Sequence, residues 1–160
     1  MSIDDLLAVQ RSSYADATPG FRKAWPEAEA LGRAELAAFL ARNRYCVLAT
    51  SRADGRAHAA PVAFVVHDGA FWFATVAGLR LRNLRARRWA SLVVMEGDAD
   101  VGEVGYPHTA LTAEGSVMLH AIADWHSFEA EWLRRHADPP TWAVALAELR
   151  PERLFTHAAR

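Results

Sequence analysis

Between Tyr45 and Thr75 the sequence alternates β-favouring runs with turn-forming triplets, an order that leaves room for little but a meander of three antiparallel strands. YCVLATS, Tyr45 to Ser51, is closed by Ala53-Asp54-Gly55, where glycine supplies the positive φ of a tight hairpin. A second strand runs from Ala57 to Val66. His67-Asp68-Gly69 repeats the turn chemistry before FWFAT, Phe71 to Thr75, in which Phe71 and Phe73 share one face and Trp72 takes the other. Pro61 interrupts the second strand. It has no N–H to give to a ladder, so it belongs at an edge or a bulge, where neighbouring backbone groups are free to meet a ligand.

Val76-Ala77-Gly78 then leads into LRLRNLRARRW, Leu79 to Trp89, whose leucines at 81 and 84 and arginines at 82 and 85 separate onto two helical faces. A strand feeding a glycine and then a helix start brings free backbone N–H groups and the positive end of the helix dipole to one point, which attracts phosphate. Five arginines fall between Arg80 and Arg88, and guanidinium forks match phosphate oxygens geometrically. ASLVVM, Ala90 to Met95, resumes the sheet.

The run ATSRADGRAHAAPVAFVVHDGAFWFATVAGLRLRNLRARRWASLVV resembles the flavin-binding split barrel of the pyridoxamine 5'-phosphate oxidase-like family, which includes relatives that use the deazaflavin coenzyme F-420. The resemblance is specific across about residues 44 to 95 and weaker out to about 158. It implies a mainly β (α+β) fold, a split β-barrel with flanking helices, built as a homodimer with cofactor sites at the subunit interface. In that family the second strand and the start of the third lay backbone against the isoalloxazine ring, and a threonine followed by a serine, arginine, lysine stretch holds the phosphate. By that similarity His58, Ala59, Ala60, Pro61 and Val62 line the ring, while Ala74, Thr75, Gly78 and Arg80 hold the ribityl phosphate. The family's serine is Leu79 here and its lysine is Leu81, whereas Arg82 keeps the arginine of the RNL element. The implied activity is that of an FMN-dependent, or alternatively F-420-dependent, oxidoreductase moving a hydride to or from a small cytoplasmic substrate, with a non-catalytic flavin-binding barrel as a further alternative. Some similar split barrels hold haem, and His108 or His120 would be the axial ligand of such a protein. A flavin ring supplies the hydride chemistry itself, which accounts for the lack of an acid/base motif in this sequence. No side chain of the sequence stands out as catalytic.

The rest of the sequence narrows the alternatives. At 160 residues the chain is long enough to bury roughly 70% of its unfolded surface without covalent staples. Cys46 is the one cysteine, so no intramolecular disulfide forms, and a reducing cytoplasm is the expected compartment. MSIDDLLAVQ carries acids where a secretory signal needs a basic region, and no apolar run reaches the length of a membrane span. A net charge of −1 lacks the broad basic field of a nucleic-acid binder. None of the seven histidines falls in a zinc-binding spacing, and Ser116 lacks the GxSxG elbow of a hydrolase.

Residues 1–30 read as a leader with a short helix around Ile3 to Arg11 and a loop through Thr18-Pro19-Gly20, and residues 31–160 as the flavin-binding domain. Gly32 to Arg44 has Leu36, Phe39 and Leu40 at amphipathic spacing and is expected to cover one mouth of the barrel. Glu96 to His108 is an acidic, glycine-bearing loop with the length of a functional element. A long strand follows, Thr109 to His120, then a helix from Asp124 to His136 with a stripe of Trp125, Phe128 and Trp132. Ala143 to Leu149 and Arg153 to His157 give one or two last strands, broken at Pro151.

Overall fold

A computed structural model of the chain describes residues 3–97 and 108–158. Six antiparallel strands close into a barrel: β1 (Tyr45–Ser51), β2 (Ala57–His67), β3 (Ala70–Thr75), β4 (Trp89–Gly97), β5 (His108–Ala121) and β6 (Ala145–Ala158), in the spatial order β1-β2-β3-β6-β5-β4. Gly55 and Gly69 have φ of 83° and 67°, and Asp68 of 51°, so both hairpins use the left-handed backbone that their turn triplets foretell. Alternation places Cys46, Leu48 and Thr50 of β1 inside and Tyr45, Val47 and Ser51 outside. The core packs Cys46 and Leu48 against Phe64, Phe71, Phe73, Leu92, Leu111 and Leu149. Residues 98–107 of the acidic loop lie outside the described residues; Glu96 and Gly97 continue β4, and His108 begins β5.

Helix α1 (Ile3–Ala15), α2 (Pro19–Ala24), α3 (Arg33–Arg42), α4 (Leu79–Ala86) and α5 (Glu129–Arg135) flank the barrel. Leu36, Phe39 and Leu40 of α3 are buried in the core, as their spacing requires. α1 runs past Arg11 because its last turn bonds to β6. Ser13 Oγ accepts from Leu154 N at 2.9 Å, Tyr14 Oη donates to the Thr156 carbonyl at 2.7 Å, and Gln10 and Thr156 meet at 2.6 Å. Leu6 of the same helix is wholly buried in the core. Thr18-Pro19-Gly20, expected as loop, starts α2: the Thr18 hydroxyl caps Phe21 N at 3.3 Å, and Pro19 occupies the first turn, where no N–H is needed.

Two further expectations are corrected. β6 is a single strand that crosses Pro151 without a break, because the ladder shifts there: Glu114 pairs with Arg153 but Gly115 with Pro151, which leaves Glu152 as the extra residue of a bulge. The segment after β5 is also not one α-helix. Ile122–Phe128 is 3-10, with Ser127 Oγ donating to the Asp124 carbonyl at 2.7 Å, and only Glu129–Arg135 is α-helical. Phe128 and Trp132 nevertheless pack against Val65, Trp72 and Leu146, covering the outer face of the barrel, with Trp125 partly buried beside them.

Candidate cofactor site

The barrel opens along one seam. β2 is paired with β1 from Ala57 to Ala63, but its pairing with β3 covers only Phe64 to His67, so among the described residues the first half of β2 has a strand on one side only. Phe64 N donates to the Arg44 carbonyl at 3.1 Å, toward β1. Backbone groups of successive residues alternate in direction, so those of Ala59, Pro61 and Ala63 face the open edge. Arg80 confirms the direction, since its Nη2 reaches the Pro61 carbonyl from the far side at 3.4 Å. The missing N–H of Pro61 therefore costs no ladder bond, and the edge position expected for it is observed.

β3 leaves the seam in the other direction. Ala74 and Thr75 pair with Leu146 and Ala145 of β6, and the chain then turns through Gly78 into α4. Gly78 is extended, with φ −173° and ψ −166°; no side chain caps the helix, and its first turn holds no acid. The first intrahelical bond is Arg82 N to the Gly78 carbonyl at 3.0 Å, so the preceding N–H groups have no acceptor within the helix. Leu81 and Leu84 bury one face of α4, Asn83 Nδ2 donates to Thr50 Oγ1 at 3.0 Å, and Arg87 Nη1 to the Ser51 carbonyl at 3.3 Å. These contacts fix the helix across the end of β1 and aim Arg80 into the seam. There the guanidinium is half-buried, and desolvation draws its pKa below the usual arginine range. Its Nε is buried with no hydrogen-bond partner.

The ring-lining candidates divide by strand alternation. His58 and Ala60 turn partly inward and Val62 is buried, while Ala59 and Pro61 are exposed. His58 Nδ1, like Arg80 Nε, is buried and unpartnered. Of the phosphate candidates, Gly78 and Arg80 stand together at the start of α4. Ala74 and Thr75 are buried, and the Thr75 hydroxyl turns to the Val76 carbonyl at 3.4 Å. Arg82 is not brought to Arg80: it lines a separate open pocket of about 420 Å3 with Ala77, Gly78, Leu81 and Arg85. The anchoring role of Asn83 and Thr50 was missed from the sequence, although an asparagine between two buried leucines was its signal.

The profile described as pyridoxamine 5'-phosphate oxidase matches residues 33–158. The chain belongs to the pyridoxamine 5'-phosphate oxidase family. No curated protein matches it in sequence. Solved structures share the fold at low identity. An FAD-binding protein from Mesorhizobium loti is 21% identical with a TM-score of 0.62, covering 81% of this chain and 95% of its own. An FAD and haem binding protein from Mycobacterium smegmatis is 18% identical with a TM-score of 0.62, covering 81% and 72%. A haem storage protein from Vibrio cholerae is 19% identical with a TM-score of 0.60, covering 78% and 93%.

For a member of the pyridoxamine 5'-phosphate oxidase family the seam is a fitting place for a phosphate-bearing flavin. It offers an unpaired strand edge, an uncapped helix start and a half-desolvated guanidinium with one donor unused. Leu79 and Leu81 add nothing polar; Leu81 packs into the interior. Haem ligation is less well served. His120 Nε2 lies 2.7 Å from Glu148 Oε2, with its ring tilted against Trp72 at 4.8 Å, and His108 packs on His157. Among the described residues no three His, Cys, Asp or Glu side chains cluster as a metal site. No helix of the described residues is long and apolar enough to cross a membrane. A cavity of about 600 Å3 lies away from the seam among Leu40, Arg44, Val66, Arg134 and Arg135. Its Arg135 donates to the carbonyls of Leu40 and Asn43, closing the end of α3, which gives that residue a structural role.

Proposed function

We propose that the chain is a flavin-dependent oxidoreductase acting on a small-molecule substrate, with an FMN-type ring against the open edge of β2 and its phosphate at Arg80 and the start of α4. The observation that carries this reading is the unpartnered, buried Nε of Arg80, because a buried donor without an acceptor is costly and a phosphate oxygen would satisfy it. The flavin supplies hydride transfer at its own ring. The backbone groups of Ala59 and Pro61 orient the ring edge, His58 offers Nδ1 beside it, and Val62 and Phe64 exclude water from the barrel side.

The reading includes a homodimer. Val47 and Val93 face each other across β1 and β4 on the outside of the barrel, 46% and 41% exposed, with Met95 beyond them at 69%. An apolar stripe of this kind next to the seam supports a second copy covering it.

Titration of the purified protein with FMN, followed by absorbance and calorimetry, tests the cofactor. Arg80→Ala is expected to weaken binding by about 1.5 to 3 kcal/mol, tenfold or more in affinity, the range for a hydrogen bond to a charged group. Arg88→Ala removes an exposed charge from the far end of the same segment and is expected to change little. Absence of FMN binding, or equal losses in both variants, would overturn the assignment. Parallel titrations with F-420 and haem give those two ligands the same opportunity.

A further inference from the structure

A pocket of about 280 Å3 opens where the free edge of β2 ends, and its lining includes Tyr45, Ala63, Trp132, His136 and Trp142. Tyr45 and Ala63 are strand partners, and pairing with β3 begins at the next residue, Phe64. Ala63 lies two residues past Pro61 on the same face of β2, about 7 Å along the strand. The pocket is therefore a neighbour of the seam and not part of it.

Two of its walls are aromatic surfaces that the chain does not cover, since Tyr45 is 63% exposed and Trp142 53%. Exposed aromatic area gathered at one concavity is the usual lining of a small-molecule site. A third wall is His136, the residue that ends α5, where its N–H donates to the Trp132 carbonyl at 2.8 Å. Its ring lies 4.7 Å from that of Trp132 and 6.3 Å from that of Tyr45.

His136 Nε2 is 3.2 Å from the Phe64 carbonyl, which can only accept, so Nε2 carries the ring proton. Desolvation holds the imidazole pKa below the usual histidine range; the Phe64 bond opposes it, and the charges of Arg135 and Arg44 add to it. The ring is neutral near pH 7, which leaves Nδ1 a bare acceptor. No donor among the described residues reaches it. Arg44 and Arg135 outnumber Asp138 in the lining, and a surplus of positive charge favours an acidic O–H over an ammonium as the missing donor.

We infer that this pocket is a substrate subsite for an uncharged single aromatic ring bearing a hydroxyl, with the ring against Tyr45 and Trp142 and the O–H donating to His136 Nδ1. The role of substrate rests on the flavin reading of the seam. One ring with one or two substituents suits the volume, and the histidine fixes which edge of the ring is turned inward.

Calorimetric titration of the full chain with 4-cyanophenol and with its methyl ether, which keeps the ring and loses the donor, tests the subsite with and without FMN. The wild type is expected to bind the phenol about fivefold or more tightly than the ether, with FMN present or absent. His136→Phe binds the two alike, and Trp142→Ala weakens both by about threefold or more. Both variants keep the wild-type affinity for FMN. Trp142→Ala alters an exposed side chain, so it decides the matter if His136→Phe does not fold. Equal binding of the two probes to the wild type, competition between the phenol and FMN, or a dimer that Trp142→Ala dissociates would overturn the inference and leave the flavin reading standing. Phenol-selective binding by a protein that takes no flavin would remove the flavin reading and the substrate role with it.

Discussion

Asn83 Nδ2 donates to Thr50 Oγ1 across 3.0 Å, and both side chains are almost wholly buried. Together with the Arg87–Ser51 bond it ties the helix that presents Arg80 to the strand beside the seam. Asn83→Ala leaves the Thr50 hydroxyl without its partner and is expected to cost about 1 to 3 kcal/mol of stability in urea denaturation. Because the same change frees α4 to tilt, FMN affinity should fall as well. A destabilised variant with unaltered affinity would show that the bond supports the barrel and not the site.

Gly115 offers a sharper test of the fold. A Cβ there would collide with the Arg150 carbonyl oxygen and stand 2.9 Å from Glu152 N, both backbone atoms of the bulge. Gly115→Ala is expected to destabilise by about 3 kcal/mol or more, lowering the melting temperature by about 6 to 12 °C. Gly20→Ala, where a Cβ meets nothing within 4 Å, serves as the control.

Alkaline pH should unfold the protein through two buried acids. Burial pushes the Cys46 thiol up from 9.0 to about 12, with Arg80 pulling the other way, and burial aided by Glu27 and Glu29 pushes the Tyr14 phenol from 10.0 to about 12. Both stay protonated in the native state at pH values where the unfolded chain has released its protons. Stability is therefore fully present below about pH 9 and lost as pH rises toward 12. Equilibrium denaturation across that window should show the decline, and Tyr14→Phe and Cys46→Ala should each flatten it. A decline unchanged in both variants would assign it to other groups.

The proposed dimer places Val47 and Val93 in a buried interface. Val93→Arg is expected to convert the wild-type dimer to a monomer in light scattering while leaving the far-ultraviolet circular dichroism intact. A wild type that is already monomeric at micromolar concentration would rule the dimer out.

Turn chemistry and alternation made the first half of the barrel legible. Gly55, Asp68 and Gly69 adopt the positive φ that their triplets imply, and the inability of Pro61 to donate implied an edge or a bulge, of which the edge is observed. The leucine and arginine faces of α4 were likewise written in their spacing, since Leu81 and Leu84 are buried and Arg82 and Arg85 exposed. What those exposed arginines face was not legible, because spacing along a helix does not say what lies across from it. Pro151 misled for a related reason: a proline ends a strand in isolation, yet a glycine on the neighbouring strand, thirty-six positions earlier, lets the ladder step around it. The reach of α1 also depended on partners far away in sequence, as the bonds of Ser13 and Tyr14 to Leu154 and Thr156 show.

β6 lies between β3 and β5 and also receives α1. During synthesis, β3 and β5 leave the ribosome with bare edges and wait for a strand that follows the other five. At about 5 to 20 residues per second, the 37 residues from 122 to 158 take roughly 2 to 7 s to be made. For that interval the nascent chain exposes two unpaired strand edges and the apolar side of an unanchored first helix, which is the surface that chaperones bind and that neighbouring chains on a polysome can pair with. The yield of this protein in a cell should therefore respond to elongation rate over its last quarter more than over its first.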